Sequence, residues 1–283
     1  MTQVLLFQPI FNLVVALYKL VGGNLGLSII LVAIFSRLVT LPIMLKQLKS
    51  AGTMKELAPE LEKIKKKYKN DKQKLNEAQL KLYKEKGFNP VGGCLPMIVQ
   101  LVFLIQVRSV VVTLINEGVS SFNSIAYFGF LKFADGYEID LNFLRMDLGK
   151  VASDFSWSDP QIIPYVILAL LVGITQLFST KLLMPSMDPK KEEKSKKKKK
   201  DDDMPSMESM TGMMNTQMTY LLPAFTVIMA LGYSGGSSLF SAALSIFWTV
   251  QNLFVIIQRL IVSPEARMNL MSKIRKLSPK KRK

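Results

Sequence analysis

Charge is sorted along this chain rather than mixed through it. The segments 25–45, 91–115, 161–184, 216–231 and 237–262 are apolar and carry few charges, while lysines crowd the stretches between them. Apolar runs of roughly 20 residues have the length a helix needs to cross a ~30 Å hydrocarbon core. The expected fold class is an all-α integral membrane protein with five transmembrane helices. A mean hydropathy of +0.25 beside a formal net charge of +16 fits this sorting, because soluble domains of this size rarely combine the two.

The connecting segments have characters of their own. Residues 1–22 place Gln8, Pro9, Asn12 and Lys19 among apolar residues, with Ile10, Leu13, Leu17 and Leu20 at helical spacing. An interfacial amphipathic helix is expected there, a full span being the alternative. Gly22-Gly23-Asn24 then separates it from the first span. In residues 46–89, lysines interleave with Glu56, Glu60, Glu62, Asp71, Glu77 and Glu85. Met54, Leu57, Leu61, Ile64 and Tyr68 step by three or four residues, as do Leu75, Ala78 and Leu82. Two amphipathic helices, Ala51 to Asn70 and Asp71 to Lys86, are therefore expected as an αα-hairpin too polar for lipid.

Residues 116–160 form a loop in which acidic residues outnumber basic ones, whereas 185–215 is a Lys-rich low-complexity loop and 263–283 a basic tail. With five spans, the hairpin, the Lys-rich loop and the tail share one side. The positive-inside rule makes that side cytoplasmic, with the N-terminus out, the C-terminus in and 116–160 extracytoplasmic.

Several chemistries are closed to this composition. There is no histidine, and Cys94 is the single cysteine, so histidine-based catalysis, the usual zinc sites and an internal disulfide are excluded. No cofactor or metal is expected, and the chain is not read as an enzyme. Lys19 is the first charged side chain, so no basic region precedes the first apolar run and a cleavable secretory signal is not expected.

Arg37 is the charge that stands out within the first span. At ~1.5 Å per residue from Leu25 it lies about 18 Å into the ~30 Å core, where an arginine costs roughly 2.5–3.5 kcal/mol to insert. No Asp or Glu occurs in any of the five segments. Arg37 must therefore snorkel, face a water-filled cavity, or be neutralised by a group that arrives. Gln100, Thr175, Gln176, Ser179, Gln251, Asn252 and Gln258 offer uncharged polar groups from the later spans. Each alone is an ordinary interhelical hydrogen bonder; together with Arg37 they suggest a hydrophilic recess for transient acidic groups. A secondary transporter or channel is the competing class, and it would require a through-going path and usually a repeat.

Gly23 to Leu31, Ser36-Arg37-Leu38 and Leu41-Pro42 resemble the first core span of the YidC family of membrane protein insertases. So do Leu57-Ala58-Pro59-Glu60, Lys67-Tyr68-Lys69, Leu82-Tyr83-Lys84-Glu85 and Asn89-Pro90 through Cys94-Leu95-Pro96, and Trp248 and Asn252 match a Trp-x-x-x-Asn pattern. The similarity runs in order along nearly the whole chain and is to a minimal bacterial form, without a large extracytoplasmic domain. Ser179 departs from it, standing where glutamine is usual before Lys181.

The resemblance implies five helices around a hydrophilic groove open to cytoplasm and lipid, in a bacterial plasma membrane. It implies a groove of Arg37, Gln100, Thr175, Gln176, Trp248 and Asn252, in which Arg37 attracts the hydrophilic part of an incoming chain. The apolar part would leave along the third and fifth spans. Nascent membrane proteins are the implied partners, with a Sec-type translocon, the ribosome (through tail and hairpin) and anionic lipids as further ones, and a monomer is expected. Met204, Met207, Met210, Met213, Met214 and Met218 read either as the interfacial start of the next helix or as an adaptable apolar surface.

Overall fold

The computed structural model describes residues 7–68, 71–88, 95–183, 217–233 and 240–262. Cys94, the Lys-rich loop 185–215, the Met204 to Met214 series and the 263–283 tail lie outside the described residues.

Helix α1 (Gln8–Leu20) begins with Pro9 in its first turn and buries Ile10, Phe11, Asn12, Val14, Val15 and Tyr18. Proline suits that position because the first-turn N–H groups have no helical acceptor. The polar residues that interrupt the run have partners. Asn12 Nδ2 donates to the Ile125 carbonyl at 3.1 Å, and its Oδ1 accepts from the Tyr127 N–H at 2.8 Å. Lys19 Nζ donates to the carbonyls of Phe130 and Lys132 at 2.9 and 2.6 Å.

Asn24 caps α2 (Leu25–Lys67) by accepting from the Leu27 N–H at 2.9 Å, a standard way to satisfy a first-turn donor. Here the structure departs from the sequence expectation. The 25–45 span and the first helix of the 46–89 segment are one unbroken helix through Pro42 and Pro59. Each proline removes one backbone bond, yet no turn-forming cluster follows either one, so the helix continues.

Helix α3 (Lys72–Glu85) follows the cap Asp71, whose carboxylate accepts from the Lys74 N–H and pairs with its ammonium at 3.1 Å. Both contacts hold the Asp71 carboxyl below the usual range. A small core of Leu57, Leu82 and Tyr83, flanked by Leu61, Ile64 and Phe88, joins α3 to the end of α2.

Three further apolar helices follow: α4 (Leu95–Asn116), α6 (Ile162–Leu183) and α8 (Ala242–Val262). Between α4 and α6 the chain forms α5 (Gly118–Ile125) and a two-stranded antiparallel hairpin, β1 (Asn142–Phe143) and β2 (Met146–Asp147), in register Asn142 to Asp147 and Phe143 to Met146. A π-helical turn, Gln217–Leu221, leads into α7 (Leu222–Leu231). Among the described residues four helices are long and apolar enough to cross a membrane: Leu25–Leu45, Val99–Asn116, Ile162–Leu182 and Ala242–Val262. Thr219–Leu231 is apolar but shorter.

The 116–160 loop is tied to one end of this bundle. Its Lys150 and Leu148 carbonyls accept from the Ala242 and Ala243 N–H groups at 2.9 and 3.0 Å, satisfying donors at the start of α8. Gly232, at φ 91°, closes α7 so near Ser153 that a Cβ there would lie 2.1 Å from the Ser153 Oγ. Gly26, in the first turn of α2, lies under the Phe143 ring, where a Cβ would meet ring carbon at 2.2 Å. The glycine admits the close approach of β1. So α2, α6 and α8 start at the loop end of the bundle, while α4 and α7 finish there.

Candidate functional site

Because α8 packs against both α2 and α6, adjacent residues on it face different neighbours, successive side chains being about 100° apart on a helix. Gln251 turns to α2. Its Nε2 donates to the Ala33 carbonyl at 3.1 Å and to the Ser36 hydroxyl. Asn252 turns to α6, where its Nδ2 donates to Thr175 Oγ1 at 3.3 Å and its Oδ1 accepts from Ser179 Oγ at 3.4 Å. One turn earlier, Trp248 Nε1 donates to Gln176 Oε1 at 2.6 Å. Farther along, Arg259 Nε donates to the Leu182 carbonyl at 3.1 Å, satisfying an acceptor in the last turn of α6.

The result is a polar seam within an apolar bundle. Ser36, Arg37, Thr40, Thr175, Gln176, Ser179, Thr180, Gln251, Asn252 and Gln258 are all buried. The serines and threonines return their hydroxyls to their own helices, as Thr40 does to the Ser36 carbonyl at 2.9 Å and Thr180 to the Gln176 carbonyl at 2.8 Å. This pattern lets polar side chains lie in an apolar setting without an unpaired donor.

Arg37 is 9% exposed. Its Nη1 donates to Met44 Sδ at 3.1 Å, a weak acceptor, and its Nε has no hydrogen-bond partner. Among the described residues no carboxylate pairs with it. Gln251 Oε1 and Gln258 Nε2 are likewise buried without a partner. The seam therefore keeps a full positive charge and several unmet hydrogen-bonding groups away from bulk water, a costly arrangement.

Of the six residues expected to form the site, Thr175, Gln176, Trp248 and Asn252 are joined directly by hydrogen bonds across α6 and α8. Arg37 is next to Ser36, which Gln251 binds. Gln100, on α4, is half-buried and, among the described residues, is not hydrogen-bonded into this group. Ser36 as the α2 anchor of Gln251 was not anticipated; its signal was a small hydroxyl beside the intramembrane arginine. Among the described residues no cluster of His, Cys, Asp and Glu could hold a metal.

The family model described as 60Kd inner membrane protein matches residues 16–273. The chain belongs to that family. Its relatives are YidC-type insertases, the resemblance that the Arg37 segment carries. The chain is 30% identical over 266 residues to the membrane protein insertase MisCA of Bacillus subtilis (strain 168), covering 92% of this chain and 79% of that one. To the membrane protein insertase YidC 2 of Bacillus anthracis it is 29% identical over 264 residues, covering 92% and 80%. Against the membrane protein insertase YidC of Fusobacterium nucleatum identity reaches 52%, over 100 residues that make up 35% of this chain and 49% of that one. The chain thus spans most of the Bacillus relatives and under half of the Fusobacterium one. As a 60Kd inner membrane protein family member it is a multi-pass membrane protein and not an enzyme.

Proposed function

We propose that the chain inserts nascent membrane proteins into the bacterial plasma membrane by drawing their hydrophilic segments into the polar seam between α2, α6 and α8. The names of its relatives support the activity, and Arg37 supports the mechanism. A guanidinium that is buried and has no carboxylate partner among the described residues is poised to be neutralised by a group from outside. Acidic residues near a transmembrane segment supply that group. In this reading α7 is the remaining one of five spans and the seam is the wall of a groove open to cytoplasm and lipid. The α2–α3 pair and the basic tail receive substrate from the ribosome or a Sec-type translocon. The apolar segment of the substrate leaves along α6 and α8. No nucleotide is needed, because burial of that segment in lipid drives the step.

The test is integration of one single-span substrate, carrying an acidic or a neutral translocated tail, into liposomes without ATP. Arg37→Lys keeps the charge but loses the planar fork, and it is expected to retain most activity on both tails. Arg37→Met keeps much of the length and apolar stem without charge. It is expected to lose at least tenfold on the acidic tail, with little change on the neutral one. Equal handling of both tails by Arg37→Met would show that the charge does not receive substrate.

A further inference from the structure

Hydrogen bonds fix the depth of the α1 layer. Ser28, in the first turn of the apolar part of α2, donates to the Val14 carbonyl at 2.8 Å. The middle of α1 is thus level with the entry of the first span, not above it. The segment after α5 is fastened to α1 at two points: Asn12 binds the Tyr127 N–H, and Lys19 binds the Phe130 and Lys132 carbonyls. Yet two large rings in this segment face away from protein. Phe128 and Phe130 are 58% and 75% exposed, stacked with centroids 5.5 Å apart and planes 15° apart. Leu20, at the end of α1, is 76% exposed. At the same end of the bundle Trp157 and Tyr233 stack just before α6 and just after α7, where aromatic side chains mark a membrane–water boundary.

We infer that Phe128 and Phe130, together with Leu20, which follows Lys19 at the end of α1, are a wedge that enters the lipid leaflet at the loop end of the bundle. The occupant of this surface is lipid, because hydrogen bonds with the Asn12 and Lys19 side chains hold the segment to α1, which Ser28 fixes at the depth where the apolar run of α2 begins. Aromatic rings favour that boundary, and Lys19 reaches it with its stem in the apolar layer and its ammonium on carbonyls. The inference needs only a bilayer around the apolar helices. It is independent of insertase activity and of which side faces the cytoplasm, so either can fail without the other.

The full-length chain, with Cys94→Ser as background, receives Phe130→Cys or the exposed control Asp135→Cys. Each is labelled with an environment-sensitive fluorophore and reconstituted in phosphatidylcholine–phosphatidylglycerol vesicles. The probe at position 130 is expected to emit to the blue of the control. Lipids with nitroxides high on the acyl chain should quench it at least threefold more than the control, and iodide correspondingly less. Iodide quenching as strong as at position 135 would overturn the inference. So would a probe shielded from iodide but untouched by nitroxide lipid, which would mean that protein covers the rings. Leu20→Cys provides a second reporter should Phe130→Cys disturb folding, and it must give the same pattern.

Discussion

Neighbouring side chains of one type do different work here. Gln251 and Asn252 are both buried amides, yet Gln251 spends its N–H groups on α2 while Asn252 closes onto α6. Gln251 thus fastens helices, whereas Arg37 holds its charge unspent. The two should separate by experiment. Gln251→Leu leaves the Ser36 hydroxyl without its cross-helix donor and should cost about 1–3 kcal/mol, seen as a lower melting temperature in detergent. Its ratio of acidic-tail to neutral-tail integration should stay at the wild-type value. Arg37→Met should do the reverse, changing the ratio more than the melt. A melt of Gln251→Leu equal to wild type would remove its fastening role. The polar residues of this seam were visible in the sequence as isolated amides and hydroxyls in apolar runs. Their partners were not, because a helix rotates about 100° per residue and only packing decides which neighbour each side chain meets. Gln100 shows that limit: it has the right chemistry, but among the described residues it has no bond into the group.

At the scale of elements, few of the described side chains hold the end of α2 to α3. Among the described residues, Leu57, Leu82 and Tyr83 make the centre of their contact, and an exposed bridge, Lys86 to Glu60 at 2.9 Å, links them. A core this small gives little net stability, and exposed ion pairs add under about 1 kcal/mol. Backbone amides of α3 should therefore exchange with solvent orders of magnitude faster than those of α6. Leu82→Ala should bring α3 close to the free-peptide rate without changing exchange in α6 or α8. Protection in α3 equal to that in α6 would contradict this. The amphipathic spacing of Leu57, Leu61, Ile64, Leu75 and Leu82 made these helices legible in advance. The continuity of α2 was not, because a change from apolar to polar composition marks where a helix leaves lipid, not where its backbone ends. The loop 116–160 was legible as acidic and no further. Its hairpin turns at Leu144 and Arg145, which have φ of 50° and 64°. Such values favour glycine or asparagine, so local residue preference gave no signal for the turn.

For the whole molecule the open quantity is direction across the bilayer. The helices α2, α6 and α8 begin where the 116–160 loop is fastened, and α4 and α7 end there, so the chain reverses at each passage. If all five cross, that loop shares one face with the α7–α8 connection. The α2–α3 pair, the Lys-rich loop and the basic tail share the other. The placement of lysine and arginine, crowded into 46–89, 185–215 and 263–283 and sparse in 116–160, then decides the sides, since these residues near span ends are retained in the cytoplasm while acidic residues contribute little. The prediction is that Asp140 is outside and Lys63 inside; both are exposed, so accessibility reports sidedness rather than burial. In a Cys94→Ser background, Asp140→Cys should react with a membrane-impermeant thiol reagent in intact cells. Lys63→Cys should react only after permeabilisation. The opposite pattern would invert the orientation and put the α2–α3 pair outside, where no nascent chain arrives. Reaction of both in intact cells would be incompatible with the single crossing, that of α4, which separates Lys63 from the loop. It would require α4 to re-enter on the face it left, although its Val99–Asn116 stretch is long and apolar enough to cross.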